Sequence, residues 1–71
     1  MKVSKINIGI YKITIDNRVF QAEKNYYGQW NLLESVDYSY LGLSNEMEYF
    51  DTFLTLGCCK IAAQDISKEN N

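Results

Sequence analysis

The sequence predicts a small α+β domain in which a three- to four-stranded antiparallel sheet, a meander, packs against one C-terminal α-helix. Three observations predict it. Apolar and polar residues alternate in short runs between Ile10 and Leu33, with turn-forming residues between the runs. Apolar residues recur at helical spacing from Leu56 to Ile66. The chain has 71 residues, enough for one core and too few for two.

The first run is Ile10 to Ile15, in which Tyr11, Ile13 and Ile15 share one face. Ile6, Ile8 and Ile10 hold the opposite phase, and Gly9 stands at the slip. A bulge or bend is expected there, with residues 3–8 as a separate short edge segment. Asp16-Asn17 is turn chemistry, because both residues tolerate positive φ and bond to nearby backbone. It leads into Arg18 to Glu23, a second strand with Phe20 and Ala22 on one face. Asn25-Tyr26-Tyr27-Gly28 supplies the next turn, with Gly28 able to take φ above zero. Gln29 to Leu33 is the third strand, with Trp30 and Leu32 on the same side.

From Glu34 to Asn45 neither period holds and Gly42 punctuates the stretch, so an ordered loop is expected, with room for a short strand around 36–41. Residues 45–50 fit either a helical turn with Met47 and Phe50 inward or a fourth strand. The helix follows, with Leu56, Cys59, Ala63 and Ile66 in one stripe and Ala62 beside it. Thr52 or Thr55 suits its cap, and Asp51 at that end favours the helix macrodipole. Gly57 opposes the helix by about 1 kcal/mol relative to alanine, unless a close contact against the sheet demands a small residue. Residues 1–66 are expected to form the globular domain and 67–71 a frayed polar tail.

A hydrophobic fraction of 46% and ten large aromatic residues argue for a real core. Tyr11, Phe20, Trp30, Phe50 and Phe53 are its expected aromatic members. At this size only about 60% of the unfolded chain's surface is buried, so aromatic packing or self-association must compensate. Met1 to Lys5 leads into no apolar segment of leader length, and no apolar run approaches the ~20 residues of a membrane span. A cytoplasmic location is expected. The two cysteines, Cys58 and Cys59, are adjacent, an awkward geometry for a disulfide, and are expected as reduced thiols. On a helix they point about 100° apart, so one packs inward while its neighbour stays near the surface.

The chain has no histidine, which removes the commonest general base and metal ligand at neutral pH. Its four glycines are isolated, so there is no phosphate-cradling loop. Glu46, Glu48 and Asp51 are paired carboxylates without a catalytic partner nearby in sequence. No enzyme activity, cofactor or metal site is expected.

Charge carries the functional signal. Residues 25–59 contain no lysine or arginine, yet hold five acids, five of the six tyrosines and the only tryptophan. That segment sums to −5, residues 1–24 to +3, and the remainder to zero, for a net charge of −2. Setting aside the expected core leaves Glu34, Asp37, Tyr38, Tyr40, Glu46, Glu48 and Asp51 as the candidate partner-binding set. Tyrosine among acids gives rigid contact area with a polar tip, the chemistry enriched at interfaces. The chemical complement is a protein with a basic surface, which points to nucleic-acid-handling complexes.

The small size, acidic pI near 4.9 and Asn-, Lys-, Ile- and Tyr-rich composition resemble small phage or mobile-element inhibitors, including anti-CRISPR proteins. The resemblance is one of kind and rests on no motif, so it assigns no residue a role. It implies an inhibitor or regulator that blocks a basic groove. Two other readings compete. Lys2, Lys5, Lys12, Arg18 and Lys24 all fall in the first hairpin region, and a sheet with one C-terminal helix is an architecture some DNA-binding domains lay in the major groove. Phosphate contacts would then give salt-dependent nucleic-acid binding, against the acidic balance of the whole chain. In the third reading the exposed aromatics form the interface of a homodimeric structural subunit.

Overall fold

The computed structural model describes residues 1–37, 41–42 and 46–69 of the chain. The elements are β1 (Lys2–Asn7), β2 (Ile10–Ile15), β3 (Arg18–Lys24), β4 (Trp30–Val36), β5 (Glu46–Phe53) and α1 (Leu56–Glu69). The strands form one antiparallel five-stranded sheet in the order β1-β2-β3-β4-β5. The meander and its C-terminal helix are as the sequence predicts, with five strands instead of three or four. One addition is the edge segment expected at 3–8, which is a full strand paired along β2 over Lys2–Asn7. The other is β5, which resolves the ambiguity at 45–50 in favour of a strand.

The turns follow from local chemistry. Gly9 has φ 72° and Gly28 has φ 78°, both in the region where glycine carries no Cβ penalty. Asp16 takes φ 52° in the β2–β3 turn, one of the few residue types that tolerates it. The side-chain oxygen of Asn25 accepts hydrogen bonds from the backbone N–H groups of Tyr27 (2.9 Å) and Gln29 (3.0 Å), which fixes the β3–β4 turn. The bend expected at Gly9 is the β1–β2 turn, which holds Ile8 and Gly9, whereas the register shift falls earlier, between Lys5 and Asn7.

α1 covers one face of the sheet. Ile13, Phe20, Ala22 and Leu32 from three central strands meet Cys59 and Ala63 from the helix, all fully buried. Tyr11, Trp30, Phe53, Leu56, Ala62 and Ile66 pack around them. The rings of Tyr11 and Trp30 lie 5.7 Å apart, tilted at 59°. The predicted stripe is therefore the buried one, and its small side chains at 59, 62 and 63 let the helix approach the sheet closely. Thr55 caps the helix: its Oγ1 accepts from the backbone N–H of Cys58 at 3.2 Å. Asp51 and Thr52 lie in β5 and take no part in the cap.

Three expectations are corrected. α1 continues through Glu69 and Ser67 is buried, so the polar tail does not begin at 67. Gly57 is exposed, and a Cβ there would meet only Thr55 Oγ1 at 3.8 Å, so no contact among the described residues requires a glycine. Residues Glu34 to Val36, read as loop, extend β4.

Candidate partner-binding edge

β5 is the outer strand of the sheet on the side opposite β1. Its first six residues, Glu46 to Asp51, are all exposed. Side chains alternate along it. Met47 opposes Ser35 and Tyr49 opposes Leu33, which puts both on the face away from the helix, 42% and 59% exposed. Glu46 opposes Val36 and Glu48 opposes Glu34, on the helix side. The register then shifts: Asp51 opposes Leu32, so Phe50 is the extra residue of a bulge. The Phe50 ring sits 6.2 Å from that of Phe20 and remains 40% exposed. It closes the margin of the core in place of joining it.

A polar chain holds Tyr49 against the sheet. Its hydroxyl bonds to Thr52 Oγ1, Thr52 Oγ1 donates to Asn31 Oδ1 at 2.7 Å, and Asn25 Nδ2 donates to the same oxygen at 3.3 Å. The Asp51 carboxylate accepts from the backbone N–H of Thr52 at 2.7 Å. The tyrosine ring is thus positioned on the face of the sheet away from the helix.

The candidate residues divide sharply. Glu46, Glu48 and Asp51 come together on β5, and Asp37 is exposed just beyond β4. Tyr38 and Tyr40 lie outside the described residues. Glu34 leaves the set: Arg18 Nε and NH2 donate to its two carboxylate oxygens at 2.7 and 2.6 Å. The same guanidinium donates to the Ile66 carbonyl at 3.1 Å and lies 5.3 Å over the Phe20 ring. The hydrogen bonds that Arg18 donates to this carboxylate raise its own pKa above the ordinary value, against the opposing effect of burial. Glu34 is a structural acid paired with Arg18, and Glu48 stands directly across from it on β5.

Arg18 therefore also leaves the candidate nucleic-acid set. The four lysines of that set divide between two faces. Lys2 and Lys12 are in phase with the face away from the helix, whereas Lys5 and Lys24 are in phase with Tyr11 and Trp30 on the helix side. They form no single-faced basic patch.

Met47, Tyr49 and Phe50 join the candidate set only with the structure in hand. The alternation Glu-Met-Glu-Tyr signals them, but only once 46–49 is read as a strand. Exposed apolar residues also gather at one end of the sheet. Ile8, Tyr26, Tyr27 and Leu54 occupy the turns and the β5–α1 link there, and the Lys24 amide donates to the Gly9 carbonyl at 2.8 Å between two of them. Tyr26 and Tyr27 stack edge-to-face with centroids 5.6 Å apart. At the other end, a cavity of about 240 Å³ is lined by Met1, Ile15, Asp16, Gln64, Ser67 and Lys68. The Ser67 hydroxyl there is enclosed and makes no hydrogen bond among the described residues.

Cys58 is exposed and Cys59 buried, both as free thiols. Burial, with the neighbouring Cys58 adding to it, pushes the Cys59 thiol up from 9.0 to about 11. Among the described residues no three of Cys, Asp and Glu are grouped to hold a metal ion, and no helix is long and apolar enough to cross a membrane. Comparison with protein-family models, with curated proteins and with solved structures gives no match for this chain.

Proposed function

We propose that the chain is a non-catalytic binding module, an inhibitor or regulator, that docks β5 on the basic surface of a nucleic-acid-handling protein. One observation carries the proposal: β5 is an exposed edge with Glu46 and Glu48 on its helix-side face, Met47 and Tyr49 on the other, Phe50 and Asp51 at its bulge, and no basic residue in the strand. Carboxylates at strand spacing take the places of phosphates in a basic groove, and Met47 and Tyr49 on the opposite face supply apolar contact.

A net charge of −2 understates this edge. Strands lie ~4.8 Å apart, so β1 with Lys2 and Lys5 is roughly 19 Å from β5 across the sheet. The Debye length at physiological salt is about 8 Å. The lysine edge therefore does not neutralise the acidic edge, and a partner meets the local charge of β5.

The test is a titration of wild type and the triple variant Glu46→Lys, Glu48→Lys, Asp51→Lys against purified basic nucleic-acid-binding proteins at low and physiological salt. Wild type is expected to bind with an affinity that falls as salt rises, and the triple variant to lose binding while its circular dichroism is unchanged. Equal binding by the two proteins, or binding of wild type to DNA in place of the proteins, rejects the proposal.

A further inference from the structure

The outer edge of β5 offers more than charge. Among the described residues β5 pairs only with β4, so alternate residues along it direct backbone N–H and C=O groups away from the sheet. From Glu46 to Tyr49 the strand is regular, and the bulge at Phe50 ends that run. The chemical complement of such an edge is another strand.

Edges are commonly guarded by charge, bulges or short length. β5 is guarded in a selective way. It is eight residues long, and its charges are all acidic. Glu46 and Glu48 stand on the helix side, while Met47 and Tyr49 are exposed on the other. A second β5 laid against it would set acid on acid. A strand with basic side chains on one face and apolar ones on the other would meet complements on both.

We infer that β5 accepts an extended basic segment of the partner protein as a sixth strand. Lysine or arginine at alternate positions of that segment lies over Glu46 and Glu48, and apolar residues between them cover Met47 and Tyr49. The inference rests on the binding function proposed above and names the form of the partner's contact. A second copy's β1 does not fit. Lys2 pairs with Thr14 and Lys5 with Tyr11, so the two lysines are in opposite phases and cannot both reach Glu46 and Glu48.

The test uses a capped peptide alternating lysine and valine, followed by calorimetry and by the backbone amide signals of the full chain. Binding should shift the amides of residues 46–51 and slow their hydrogen exchange. Two further peptides carry N-methyl groups on alternate residues, one on each edge of the strand. Methylation on the edge that faces β5 should weaken binding roughly tenfold or more, through the loss of interstrand hydrogen bonds. Methylation on the far edge should leave it nearly unchanged.

If both methylated peptides bind as well as the parent, strand addition is wrong while acidic docking stands. Strand addition is equally wrong if basic proteins bind in a salt-sensitive way but no alternating peptide does. If the parent peptide binds Glu46→Lys, Glu48→Lys as tightly as wild type, the acidic-edge reading fails as well.

Discussion

Arg18 satisfies both oxygens of Glu34, the carbonyl of Ile66 at the end of the buried helix stripe, and the face of Phe20. It therefore ties β3, β4 and α1 together with one side chain. Replacing it with alanine leaves Glu34 partly enclosed and facing Glu48. The side chains are 24% and 11% exposed, so the cost falls below that of a fully buried pair. Arg18→Ala should lose about 2–3 kcal/mol in urea denaturation, and Glu48→Gln should recover part of that loss in the Arg18→Ala background. Neither role is visible in the sequence. The two residues are 16 positions apart, and only strand register brings them together. Read linearly, they fall into opposing candidate sets.

Cys59 supplies a second residue-scale test. Its folded pKa of about 11 lies above the ordinary 9.0, so the fold holds the thiol proton more tightly than the unfolded chain does. The stabilisation is complete below 9.0 and is lost as pH rises toward about 11. The stability advantage of wild type over Cys59→Ala should therefore narrow across that interval in urea titrations. Cys58 should react with thiol reagents in the native state while Cys59 does not.

At the scale of elements, the helix start is the informative place. Thr55→Ala removes the cap and should cost about 1 kcal/mol. Gly57→Ala should stabilise by about 0.5 kcal/mol, because the site is exposed and open and its φ is not positive. Both changes are read from thermal melts. β2, β3 and the helix stripe were legible because each buries an unbroken period. β5 was not, because its bulge at Phe50 breaks the alternation after Tyr49 and mimics a helical spacing. The extension of β4 was hidden for another reason: an inward position is filled by an acid, Glu34, whose partner lies on a different strand.

Over the whole molecule, the sequence showed that charge was segregated but not where the segregation would lie. The meander converts order along the chain into order across the sheet. The early basic residues fall on β1, β2 and β3, with Lys2 and Lys5 on the outer strand β1, and the late acids Glu46, Glu48 and Asp51 on β5. Folding also reduced the candidate site: Glu34 is internal, while Met47, Tyr49 and Phe50 enter from a segment whose period was ambiguous.

That arrangement has a consequence before any contact is made. With positive charge on one rim and negative on the other, the molecule has a dipole moment lying in the plane of its sheet. In the binding function proposed above, the field of a basic partner would exert a torque on it during approach, turning β5 forward and swinging β1 away. The first collision would then sample a narrow range of orientations close to the docked one, so the field would aim the molecule as well as attract it.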